Sequence, residues 1–151
     1  MSALDSAQSW QDTLIDHSQF PRRHGELEDA THQASGENPL CGDRVHLQLQ
    51  VDSRGVISDA RFAGVGCAVS LASASMLAEH VVGLDVTRAG WLFAAVRGML
   101  TETGEPAPGV PQDLLALQLV RRYPARVKCA TLAWHALRYA LEDIRQVATT
   151  E

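Results

Sequence analysis

The stretch VHLQLQVDSRGVISDARF (residues 45–62) decides the fold. Val45, Leu47, Leu49 and Val51 alternate with His46, Gln48, Gln50 and Asp52, and a period of two is the mark of a strand with one buried face. Asp52-Ser53-Arg54-Gly55 then suits a type I turn with glycine in the left-handed position, and Val56 to Phe62 reads as the returning strand of a hairpin. A turn centred between Ser53 and Gly55 sets Cys41 opposite Gly66 or Cys67, and Asp43 opposite Gly64 or Val65. Paired strands lie about 4.8 Å apart, so Cys41, Asp43 and Cys67 are expected to meet at one end of the sheet.

Outward from the hairpin, the pattern turns helical on the C-terminal side. Ser70 is expected to cap a helix that stops near Gly83, a second helix runs from Val86 to about Leu100, and residues 103–111 form a turn-rich loop. Pro124 suits a first helical position, and Val127, Ala130, Trp134, Leu137, Leu141 and Ile144 follow at three- and four-residue spacing, giving a long core helix. Cys129 is placed in its first turn, where unpaired N–H groups and the helix dipole favour a thiolate. On the N-terminal side, a short helix with Trp10, Leu14 and Ile15 on one face ends before Phe20-Pro21, and a polar loop without periodicity runs on to Cys41.

Composition limits the function. The chain has 151 residues, 46% hydrophobic and only 5% aromatic, which points to one domain with a helix-rich core of Leu, Val and Ala. A net charge of −5 removes the electrostatic footprint needed for nucleic acid or an anionic membrane, so neither is expected as a partner. The N-terminus has no basic and apolar signal pattern, no apolar run is long enough to span a bilayer, and a cytoplasmic protein is expected.

The three cysteines, Cys41, Cys67 and Cys129, are odd in number and far apart, unlike a secreted disulfide framework. Cys41 and Asp43 are two apart and share a face in extended chain, with Gly42 between them. Cys129 would complete three sulfurs and one carboxylate, a set that suits tetrahedral zinc. Spacing alone leaves open three buried cysteines acting as small hydrophobes, with Asp43 bonding a turn amide.

The words around the cysteines narrow this choice. Asn38-Pro39-Leu40-Cys41-Gly42-Asp43, Gly64-Val65-Gly66-Cys67-Ala68-Val69-Ser70 and Arg126-Val127-Lys128-Cys129-Ala130-Thr131-Leu132-Ala133-Trp134, with Asp16-His17 and Pro21-Arg22 before them, closely resemble the SufU branch of the IscU/NifU N-terminal family over nearly the whole chain. The resemblance implies an α+β fold, a small antiparallel sheet of about three strands packed against a bundle of helices, as a single domain over 1–151. It implies zinc held by Cys41, Asp43, Cys67 and Cys129, and a sulfurtransferase role in iron–sulfur cluster assembly. Cys41 would take persulfide sulfur from a cysteine desulfurase of the SufS type and pass it to downstream Suf assembly proteins. Arg126 would contact the partner or stabilise the site anion.

The alternatives are a scaffold holding an iron–sulfur cluster on the same ligands, and a zinc module that only docks a partner. In the scaffold branch a histidine usually precedes the third cysteine, whereas Lys128 stands there, and the segment between the second and third cysteines looks longer. Both departures favour the sulfur carrier. Among the histidines, His46 falls on the polar face of its strand, His135 on another helix face from Cys129, and His17 and His24 are expected in surface or capping roles. Trp134 and Met76 sit at core spacing.

Overall fold

The alternating stretch becomes the central strand of a four-stranded sheet. The computed structural model describes residues 3–101, 105–143 and 147–149. Helix α1 (Ala3–Gln19) leads into strands β1 (His32–Asn38), β2 (Asp43–Val51) and β3 (Ile57–Val65). Then come α2 (Ala68–Val81), α3 (Val86–Thr101), a 3-10 helix (Gln112–Arg122), α4 (Pro124–Leu141) and β4 (Ala148–Thr149). The sheet order is β3-β2-β1-β4, with β1–β2 and β2–β3 antiparallel and β1–β4 parallel.

The β2–β3 hairpin forms as its sequence dictates. Gly55 (φ +79°) closes the turn by donating its N–H to the Asp52 carbonyl at 3.0 Å. Asp52 Oδ1 accepts the N–H groups of Arg54 and Val56. The Val56 bond, then the Arg54 bond, hold the Asp52 carboxyl below the usual carboxylate range. The register differs from the expectation. An irregularity beside Gln50 and Val51 inserts one residue into β3, so Arg44 faces Val65 and Val45 faces Gly64.

One strand lies where a loop was expected, and one goes beyond the expected three. The polar segment before Cys41 is not a loop in its second half but β1, and β4 adds a fourth strand. In β1 the buried positions are Ala34, Gly36 and Asn38, too small or too polar to display hydrophobic alternation. Their smallness has a purpose in packing: a Cβ on Gly36 would stand 3.0 Å from Leu132 Cδ1, so α4 lies close against β1.

Val45, Leu47, Leu49, Ile57, Ala60 and Phe62 fill the buried face of the sheet, beneath α2 and α4. Trp134, fully buried on α4, donates its Nε1–H to Ser73 Oγ on α2 at 2.9 Å, while Ser73 donates to the Ala130 carbonyl. Small residues on α2 let the two helices meet, as the sequence implies. Helix α3 runs as expected, and Leu14 of α1 packs on the core while Ile15 is exposed. Ile144, Thr103 and Gly104 lie outside the described residues.

Two helix details need correction. Ser70 does not cap α2; it is buried in the first turn, and Cys67 is the N-cap. The 3-10 helix is unexpected, because Leu114, Leu117 and Val120 are buried at a spacing of three, the period of a 3-10 helix rather than an α-helix. Among the described residues no helix is long and apolar enough to cross a membrane.

Candidate metal centre

Cys41 sits in the tight turn between β1 and β2, not on a paired strand opposite Cys67 as the hairpin alone suggests. The turn closes with the Cys41 N–H donated to the Asn38 carbonyl at 3.2 Å, and Gly42 adopts φ +71°, which a residue with a Cβ takes only under strain. Cys41 is therefore exposed on a compact hinge. Asp43, the first residue of β2, pairs with Asn38 and is buried.

Cys129 is the sixth residue of α4, one turn deeper than expected, and its thiol leans toward the Ala125 carbonyl in the preceding turn. The unpaired amides of a helix start belong to Cys67 instead, at the N-cap of α2.

These elements bring together three of the four predicted ligands, and Cys67 is not among them. One donor atom each from Cys41, Asp43 and Cys129 lies within 4.8 Å of the other two. Ligands on tetrahedral zinc stand about 3.5 Å apart, so a modest contraction brings the three onto one ion. The Cys67 thiol lies near enough to contribute to the shift of the Cys129 thiol without being one of the trio. Asp43 is held at both oxygens: Oδ1 accepts the Cys67 N–H at 2.9 Å and Oδ2 accepts Asn38 Nδ2 at 3.3 Å. Gly66 makes room for this carboxylate, since a Cβ there would lie 2.6 Å from Asp43 Oδ1.

Electrostatics reflect the crowding. Burial, followed by hydrogen bonds with Asp43, Cys41 and Cys67, pushes the Cys129 thiol well above the ordinary range, opposite to the thiolate expected from a first-turn position. Arg126 is exposed nearby, and the sulfurs of Cys129 and Cys67 raise its proton affinity. Two thiols and a carboxylate gathered here, with the Cys67 thiol nearby, are a donor set suited to a borderline-soft divalent ion.

Asn38 is the site residue the sequence reading quoted without assigning a role. It is fully buried, and Nδ2 reaches both Asp43 and Cys129 Sγ, the latter at 3.6 Å. Only the presence of β1, which pairs Asn38 with Asp43, brings it there.

His17 also corrects an expectation, because it is buried rather than superficial. Its Nδ1 bonds Ser75 Oγ at 2.8 Å, and Ser75 accepts the Arg22 N–H, tying α1 and the following turn to α2. His17, Glu79 and Asp113 form a second group with ligand atoms within 4.8 Å. Ser75 Oγ already accepts the Arg22 N–H, so its own proton is available to His17 Nδ1. That arrangement is a hydrogen-bonded tie between helices. His46 bonds Ser35 and Gln33 on the polar sheet face, His24 packs edge-on against Phe62, and His135 packs edge-on against Phe93.

Comparison with known proteins agrees with this geometry. Residues 9–150 match the family described as NifU-like N terminal domain. The chain is 37% identical over 128 residues to the zinc-dependent sulfurtransferase SufU of Bacillus subtilis, covering 85% of this chain and 86% of that protein. It is 36% identical over 136 residues to the iron-sulfur cluster assembly scaffold protein IscU of Thermotoga maritima, covering 89% and 94%. A crystal structure of a putative iron-sulfur cluster assembly scaffold protein for the SUF system from Fervidobacterium islandicum superposes with a TM-score of 0.80 at 32% identity, covering 86% of this chain and 94% of that one.

Proposed function

The chain belongs to the NifU-like N-terminal domain family, and from that premise we propose that it serves iron–sulfur cluster assembly in the cytoplasm as a zinc-dependent sulfur carrier. The observation that carries this reading is the convergence of Cys41, Asp43 and Cys129, with Cys67 tied to Asp43 through its backbone N–H and Cys41 exposed on its turn. These four residues would hold zinc, which keeps thiolates deprotonated near neutral pH and brings no redox chemistry of its own.

The chain's own part is sulfur acceptance. The Cys41 thiolate attacks the terminal sulfur of a persulfide on a cysteine desulfurase of the SufS type. The partner's S–S bond breaks, its cysteine departs as thiolate, and Cys41 becomes the persulfide, with no net oxidation. Cys41 suits the role because it is exposed, whereas Cys129 is buried in a core helix. Arg126, exposed beside the sulfurs, is placed to meet an anionic group of the partner. Downstream Suf assembly proteins would receive the sulfur.

The scaffold reading uses the same thiolates for a cluster, since both centres accept sulfur ligands, and the scaffold relatives favour it. Lys128 in place of a histidine favours the carrier. Purified protein decides between them: stoichiometric zinc, no chromophore, and desulfurase stimulation lost in Cys41→Ala are expected. A stable brown cluster after anaerobic reconstitution would establish the scaffold instead. Full stimulation by Cys41→Ala would reject Cys41 as acceptor and leave a docking module.

A further inference from the structure

Asn38 closes β1, pairs with Asp43 and has no surface exposure. Its side-chain amide donates to Asp43 Oδ2 at 3.3 Å and to Cys129 Sγ at 3.6 Å, joining ligands from β2 and α4. Its Oδ1 is buried without a hydrogen-bond partner. Reversing the amide would turn that oxygen toward a carboxylate and a sulfur, two acceptors, so the donor side must face the site. Tolerating an orphaned buried carbonyl shows how strongly the two donors are required there.

Toward Cys41 the same residue behaves differently. Asn38 accepts the Cys41 backbone N–H, yet its side chain makes no described contact with the Cys41 sulfur, which stays on an exposed turn. We propose that Asn38 is a positioning residue: its amide fixes Asp43 and Cys129 as the permanent pair of the metal centre and thereby makes Cys41 the ligand free to exchange. N–H groups donated to a ligating oxygen and sulfur orient both and draw electron density from the sulfur, leaving the thiolates of Cys41 and Cys67 as the better nucleophiles, of which Cys41 is the exposed one. This inference rests on the proposed zinc reading and names the residue that divides labour among its ligands.

The test uses the full chain loaded with zinc, as Asn38→Ala and as Asn38→Leu, which branches at the same carbon but offers no donor. Zinc release to a colorimetric chelator is followed, together with thermal melting of the metal-free protein and the thiolate-to-metal absorption of the cobalt-substituted form. Both variants are expected to lose zinc about 10–100-fold faster, the usual effect of removing an outer-shell partner, and to shift the cobalt bands. A cooperative melt of each metal-free variant establishes that it is folded, and Asn38→Leu, which fills the site and also removes the orphaned carbonyl, should melt above Asn38→Ala. If either folded variant keeps wild-type release and an unchanged cobalt spectrum, Asn38 has no positioning role. Should Cys129→Ser leave zinc binding intact, the zinc reading itself fails and takes this inference with it. If Cys129→Ser abolishes binding while the Asn38 variants hold zinc normally, only the role of Asn38 falls.

Discussion

The Asp43 carboxylate accepts the backbone N–H of Cys67 at 2.9 Å, so one candidate ligand is fixed to the main chain of another across the end of the β2–β3 hairpin. Asp43→Ala therefore removes a metal donor and strands a main-chain amide. Leaving a buried donor unpaired costs about 1–3 kcal/mol. The metal-free variant should melt lower than wild type, and elemental analysis of the purified protein should show zinc largely lost.

Gly66→Ala tests the same contact from the other side. A new Cβ would stand 2.6 Å from Asp43 Oδ1 and 3.2 Å from its carboxyl carbon, and the carboxylate is held by bonds at both oxygens. Overpacking of this kind costs about 1–3 kcal/mol. Chelator competition should show weakened zinc affinity although no ligand has been changed.

Cys41 and Cys129 should separate chemistry from folding. Cys41 is exposed, so Cys41→Ser should alter the stability of the metal-free chain by no more than about 0.5 kcal/mol. The same variant should take up no radiolabelled sulfur from a cysteine desulfurase. Cys129 is buried among core helices, and Cys129→Ser should lower the melting temperature as well as zinc content.

Histidines give the stability a two-sided pH dependence. Burial, then Arg22, lowers the His17 pKa below its ordinary 6.5, and burial does the same to His135. The unfolded chain binds more protons than the folded one below that value, so stability is complete above pH 6.5 and falls as pH drops toward the folded pKa values. His80 runs the other way, because the hydrogen bond with Asp113 raises its pKa; its contribution is complete below pH 6.5 and is lost as pH rises through the folded value. Urea melts of the metal-free protein should show His17→Asn flattening the acid limb and His80→Asn flattening the alkaline limb.

Where hydrophobic periodicity was strong, the sequence was readable. Val45 to Val51 announced β2, Pro124 and the spacing through Trp134 announced α4, and three cysteine-centred words marked the candidate ligands, of which Cys41, Asp43 and Cys129 come together. What escaped did so for physical reasons. Strand β1 buries Ala34, Gly36 and Asn38, whose small or polar side chains carry no alternation, and so the hairpin turn that holds Cys41 was invisible. The 3-10 helix has a period that α-helical templates miss. His17 looked superficial because its partner, Ser75, lies on α2, far along the chain.

Strand β4 lays Ala148 beside Gly36 and Thr149 beside Glu37, immediately before Asn38. Anyone attaching a fluorophore or affinity label to residues 147–149 is thus handling the outer rail of the strand that ends at the sulfur-bearing turn. A label there sits on the strand paired with β1, two residues before β1 gives way to the Cys41 turn.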